Sequence, residues 1–249
     1  MFNKLKAASA SLRTGVRHFA KDNSAVALIE AAITLPVLIF VSFTGLEVAN
    51  LMVTHTRISG IVLAVADNSS RIASGSNLAL PQVREVDVND VFTGAQLQAG
   101  TIDLQGRGRI ILSSLEVNSQ GGQWIHWQRC FGNFNVTSAY GVQGTGVTGT
   151  AFPGMGDTGA EIQAEVGAPV MFAEISYNYD PAVWDSFMSS TIQIDYDAAF
   201  SVRDARDTSN IFNPNPAATV RTCPTGGTPR KKRAQRGHGW GKTKNPKGL

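Results

Sequence analysis

The chain predicts an α+β protein: a long N-terminal transmembrane helix, an exported domain built on an antiparallel sheet, and a disordered basic C-terminal tail. Three observations predict it. A charge-free apolar run follows a basic leader, two segments in the second half alternate apolar and polar residues with period two, and the positive charge gathers at the two ends of the chain. The boundaries are a leader at 1–25, the transmembrane helix at 26–53, a helical extension at 54–75, the α+β domain at 76–223 and the tail at 224–249.

Lys4, Lys6, Arg13, Arg17 and Lys21 make the leader basic, and Ala31 to Leu46 (AAITLPVLIFVSFTGL) carries no charge. Extended as a helix to Val53, the run spans roughly 34 Å at about 1.5 Å per residue, enough to cross a bilayer. The flank after it offers only Arg57 and Arg71. The charge asymmetry therefore keeps the N-terminus cytoplasmic and exports everything after residue 53. A cleaved signal peptide is the competing reading, because Ala64-Val65-Ala66 satisfies the small-residue rule. That site lies far beyond an apolar run already longer than a signal peptide uses.

Glu30 enters the apolar run, where a carboxylate costs a few kcal/mol and calls for a partner, an amine being the natural one. Pro36 removes a backbone donor and should kink the helix, which membrane helices tolerate. Glu47 and Asn50 read as solvated residues at the far interface. Beyond the bilayer Ile58, Ile61, Val62, Val65, Ser69, Ile72 and Ala73 keep near-helical spacing, so one helix should run from about Val26 to Ile72, with Gly75 and Pro81 as stop signals.

The segment Asn23-Ser24-Ala25-Val26-Ala27-Leu28-Ile29-Glu30-Ala31, with Leu35-Pro36 and Gly45-Leu46-Glu47, resembles the TadE/TadG-like family. Its members are minor pilin-like proteins of the tight-adherence (Flp) pilus machinery. The likeness is strongest over residues 20–75 and continues more weakly through Arg129-Cys130, Ser138-Ala139-Tyr140-Gly141 and Ile175-Ser176-Tyr177 to Cys223. Two positions depart from the pattern, Ala25 standing where a glycine is usual and Ala31 where an aromatic often follows the glutamate. The resemblance implies a processing site between Ala25 and Val26 for a prepilin-type peptidase, and pilin-like subunits as partners of the N-terminal helix. The new Val26 amine of an incoming subunit would then pair with Glu30 and set axial register, as single buried polar residues do elsewhere. The competing reading is that Glu30 snorkels to the cytoplasmic interface.

In the exported region Ile192, Ile194, Tyr196, Ala198, Phe200 and Val202 alternate with polar or small residues, and Met171, Ala173, Ile175, Tyr177 and Tyr179 share one face of Val170–Tyr179. Arg109–Val117 and Gln123–Cys130 form a further pair around Gly121-Gly122. Asp180-Pro181 opens a short helical stretch with Trp184 and Phe187 for the core, and Asn89 caps a short helix over Val91–Leu97. Sheet and helix together predict an antiparallel sheet packed on the long helix.

No motif points to catalysis, a cofactor or a metal. Gly144, Gly146 and Gly149 match G-x-G-x-x-G, but more glycines and Pro153 follow where that fingerprint needs a helix, so a flexible surface loop is expected. His18, His55, His126 and His238 lack ligand spacing, and no G-x-S-x-G occurs. Cys130 and Cys223 are the only cysteines. In an oxidising compartment they make a natural pair worth roughly 4–5 kcal/mol in the chain-entropy model, the alternative being two unpaired buried thiols.

Residues 54–207 carry 8 basic and 16 acidic groups, whereas residues 208–249 carry 9 basic and none acidic. Arg230, Lys231, Lys232, Arg233, Arg236, Lys242, Lys244 and Lys247 lie among Gly, Pro and Asn and read as a disordered tail for an anionic partner, with Trp240 available for stacking. Solvation or docking on the chain's own acidic domain ranks ahead of nucleic-acid recognition. Two function classes follow: a minor pilin-like structural component of the pilus assembly system, or a bitopic envelope protein whose domain and tail bind an anionic polymer or surface ligand.

Overall fold

The computed structural model describes residues 23–72, 80–181 and 191–230. The chain forms two compact units, and their boundary within the long helix falls between Leu51 and Met52. That helix, α1, runs unbroken over Asn23–Arg71, starting three residues before the expected Val26 and ending where the periodicity fades. It passes through Pro36, which leaves the Ala32 carbonyl without its helical donor. The hydroxyls of Thr34, Thr44 and Thr56 donate back to the carbonyls of Glu30, Phe40 and Met52, so these side chains carry no unsatisfied donor along an apolar helix.

Of the predicted stripe beyond the apolar run, Ile58, Ile61, Val62, Val65 and Ser69 are buried, Ala66 beside them as well, Ile72 is half-buried, and Ala73 lies outside the described residues. Ser69 donates to the Val65 carbonyl at 2.5 Å. At the end of α1 the Arg206 guanidinium donates to the carbonyls of Ile72 (2.7 Å) and Ser70 (2.5 Å), placing a cation where the last carbonyls point.

After β1 (Gln82–Arg84) comes α2 (Glu85–Ala99), which begins before the predicted Val91. The signal for its start is Asp87, whose carboxylate accepts from the Arg84 backbone N–H and pairs with the Arg84 side chain at 2.7 Å. Asn89 is therefore not a cap. Its amide donates to the Thr219 carbonyl, and its oxygen accepts from Arg221 Nε. A short turn, α3 (Leu104–Arg107), leads into the sheet.

The four long strands are β2 (Gly108–Val117), β3 (Gln123–Phe131), β5 (Val170–Tyr179) and β6 (Ile192–Ser201), all within a residue or two of their predicted bounds. They pair antiparallel in the order β3-β2-β5-β6. Two parallel ribbons flank them: β1 with β7 (Asp207–Phe212), and β4 (Val136–Thr137) with β8 (Thr228–Pro229). The predicted stretch containing Trp184 and Phe187 lies outside the described residues.

Central strands β2 and β5 are buried on both faces. On the face shared by Met171, Ala173, Ile175, Tyr177 and Tyr179, His55 of α1 meets Tyr196 of β6 at 3.1 Å, and Phe92 of α2 stacks on Phe131 of β3. A bidentate pair, Arg129 to Glu85, joins β3 to α2. On the opposite face Leu115, Ile125, Val170 and Phe172 pack with Tyr140, Met155 and Ala164.

The glycine-rich stretch between Tyr140 and Ala164 is a loop at the surface, as expected, but one tied to the sheet, with Met155 and part of Phe152 packed into this second core. Asn118 donates to the carbonyls of Gly146 and Gly149, both at 2.8 Å, while Gln123 exchanges two hydrogen bonds with the Ala164 backbone. Glycine permits the approach: at Gly146 (φ 80°) an added Cβ would stand 2.3 Å from the Gln123 carbonyl oxygen. No helix follows the glycines among the described residues, so the dinucleotide-binding context is missing.

Cys130 of β3 and Cys223 are joined in a disulfide. The Cys130 N–H also donates to the Arg221 carbonyl, and the Arg221 guanidinium sits 5.3 Å over the Phe131 ring. The segment after β7 is thus fastened to both α2 and β3. On a gel without reductant the chain should migrate faster than its reduced form, and Cys130→Ser or Cys223→Ser should each abolish the difference. Full labelling of both thiols in denatured, unreduced protein would refute the bridge.

Candidate functional site

Two features stand out from an otherwise ordinary domain: an exposed apolar helix face, and a buried arginine among three carboxylates.

Along 26–53 nearly every large apolar side chain of α1 is exposed, Leu28 at 71%, Ile33 and Leu38 at 66% and Phe40 at 59%. A face this long and apolar, left open to water, calls for lipid or a partner protein. The helix is long and apolar enough to cross a membrane, and its most apolar stretch is wholly unburied. Of the sequence-predicted residues here, Val26 and Glu30 are one helical turn apart and both exposed. Ala25 lies in the first turns of the same helix.

Glu47 behaves differently from its expected solvation. It keeps only 9% exposure between Leu46 at 63% and Val48 at 50%. Helical spacing places it on the same side of α1 as Thr54, seven residues on, which is also buried.

The second feature overturns an assignment. Arg230 is no free tail cation; its side chain is 4% exposed. Strand β8 carries Thr228-Pro229 alongside β4, and the next residue turns into the domain. There the guanidinium contacts Glu174 (3.3 Å) on β5 and Asp195 (3.2 Å) and Asp197 on β6. Alternation along the strands places all three carboxylates on the face opposite Tyr196. The Tyr140 hydroxyl donates to Asp197 at 2.8 Å, and the Ala139 N–H donates to Glu174 Oε1 at 3.0 Å. Among the described residues Glu174 Oε2 is buried without a partner.

Electrostatics follow from this packing. Burial pushes the fully buried Glu174 carboxyl above its ordinary range, against the opposing pull of Arg230 and the hydrogen bonds from Ser138 and Ala139. Burial also disfavours charge on Arg230, but Asp197, Glu174 and Asp195 outweigh it and hold the guanidinium charged. Burial and the neighbouring Asp197 keep Tyr140 protonated, hence a donor.

An acid whose pKa is raised in the folded state binds its proton where the unfolded chain has released it. Its contribution to stability is therefore full below the ordinary glutamate range and declines as pH rises through the folded value. Glu174→Gln should remove that decline while keeping an acceptor for Ala139, so the denaturation midpoint of the variant should fall less than wild type's between acid and neutral pH. Parallel profiles would show that Glu174 does not titrate in this way.

Lys231, Lys232, Arg233, Arg236, Lys242, Lys244 and Lys247 lie outside the described residues. The three-carboxylate socket was not visible to sequence reasoning, which placed Asp195 and Asp197 only as the polar face of a strand. The one available signal was Glu174, a charge in the middle of an otherwise apolar and small-residue strand.

Fold and site together define a disulfide-bearing α+β domain joined to a helix able to span a membrane. Comparison with protein-family models, curated proteins and solved structures returns no match to this chain.

Proposed function

We propose that this chain is a minor pilin-like structural component of a tight-adherence (Flp, type IV-like) pilus assembly system, acting through helix packing rather than catalysis. α1 anchors it in the cytoplasmic membrane, with the N-terminus inside and the domain on the periplasmic or extracellular side. The observation that carries the reading is that one continuous helix has an open apolar face with Glu30 at its start, then a buried stripe from Thr54 onward within the folded domain. A partner helix engaging residues 26–53 therefore acts on the same element that the domain is built around. The sequence resemblance over residues 20–75 supplies the class of partner. Arg230 favours this reading over the anionic-ligand one, because the structure spends the first cation of the basic segment inside the protein.

The test is affinity purification from detergent-solubilised membranes. Other pilus components should co-purify with the full chain and be lost when residues 26–53 are replaced by an unrelated transmembrane helix. Unchanged recovery with the replacement helix would refute the proposal. Orientation has its own check: a reporter active only outside the cytoplasm should work when fused after Leu249 and fail within residues 1–20.

A further inference from the structure

We infer that the cleft beside the Arg230 socket binds a primary ammonium group on a short apolar stem, as on a lysine side chain. The inference stands apart from both the pilus system and the membrane anchoring.

The cleft has a volume of about 260 Å³ and lies between β6 and the loop closed by the antiparallel bridge of Met155 with Ile162. Tyr140 and Phe172 give it aromatic surface, their rings meeting edge to face at 5.2 Å, and Ile162 and Ala199 add aliphatic surface. That volume lies below the usual range for drug-sized ligands and suits one slender group. The polar side chains that line it all accept. Asp157 and Asp197 are carboxylates, and the Tyr140 hydroxyl has given its proton to Asp197 at 2.8 Å. An anion entering the cleft would meet like charge and no side-chain donor.

Charge around the cleft is out of balance. Arg230 is a single cation shared by Glu174, Asp195 and Asp197, so even with the Glu174 carboxyl protonated two aspartates face one guanidinium. Half-buried Asp157 adds another negative charge, and its carboxylate has no partner among the described residues. A cation in the cleft offsets that excess. Asp157 comes from the loop and Asp197 from β6, so the two carboxylates reach the cleft from different walls. A guanidinium wants its acceptors in one plane, whereas a compact ammonium with three rotatable donors takes them from several directions. Phe172, Ile162 and Ala199 then supply the apolar surface along which the stem of such a group packs.

The experiment titrates the full chain, in non-ionic detergent, with N-acetyl-lysine methylamide and in parallel with its norleucine analogue, which keeps the stem and lacks the ammonium. Ligand-observed NMR reads the two affinities. The lysine probe should bind at least ~10-fold more tightly, the scale of a charge-assisted hydrogen bond. Asp157→Asn should weaken it at least ~5-fold while the unfolding transition stays like wild type's. Asp90→Asn, which changes net charge equally at an exposed position of α2, should leave binding as it was. Cadaverine, titrated alongside, separates the two sources of such a group: tighter binding than the lysine probe assigns the cleft to a free diamine, weaker binding to a side chain of a partner protein, and the ammonium assignment holds in both cases. Equal affinity for the lysine and norleucine probes, binding by neither, or an equal loss in Asp157→Asn and Asp90→Asn would overturn the inference.

Discussion

Arg230→Met is expected to lower the stability of the domain by about 3–5 kcal/mol, the range for removing one partner of a buried ion pair. The arginine is 4% exposed and Glu174 1%, so neither charge is screened by water, and Asp195 and Asp197 retain only 27% and 23%. Methionine fills a similar volume, so the loss comes from Asp195, Asp197 and the buried Glu174 carboxyl losing their shared cation rather than from a cavity. Adding Glu174→Gln should recover part of it, because no buried carboxyl then has to take up a proton or stay charged without its partner. The measurement is urea or guanidinium unfolding of the detergent-solubilised chain, followed by tryptophan fluorescence. A loss under about 1 kcal/mol is what exposed ion pairs give, and it would mean that Arg230 is a surface cation after all.

That arginine also marks where sequence reading stops working. Patterns set by local sequence were legible: the stripe Ile58 to Ser69, strand β6, whose alternation follows from a pleated strand with one covered face, and the β2–β3 pair around Gly121-Gly122, although β2 and β5 prove to be buried on both faces. The cysteine pair was legible because compartment and count left few alternatives. Features that depend on long-range placement were not. Arg230 shares its composition with the cations after it, and only the pairing of β8 with β4 turns it inward. The glycine-rich stretch reads as a flexible surface loop by composition, yet its glycines let the backbone approach the sheet closely enough for Met155 to help complete a core. Asn89 suited a cap by residue type, but Asp87 already accepts from the backbone N–H of Arg84, the residue just before α2, and the helix starts there.

Glu30→Gln is expected to leave membrane insertion intact, or slightly improve it, while abolishing recovery of pilus partners. The first half follows from transfer cost: a carboxylate in the bilayer is unfavourable by a few kcal/mol, and the neutral amide is cheaper to bury. The second half follows from the proposed pairing. With Val26 and Glu30 one turn apart on an exposed face, an incoming subunit's α-amine can meet the carboxylate only when the two helices share one axial register. Removing the carboxylate leaves that amine charged in a low-dielectric setting, where losing one partner costs several kcal/mol, or more than a hundredfold in association. Ala25→Gly should preserve or raise processing if a prepilin-type peptidase cuts before Val26, which N-terminal sequencing of the mature chain reads directly. Membrane level, N-terminus and partner recovery must be measured on the same preparation, so that an uninserted variant is not mistaken for an unassembled one. Normal partner recovery by an inserted Glu30→Gln chain would show that the carboxylate only reaches for the interface, and that helix packing is set elsewhere along 26–53.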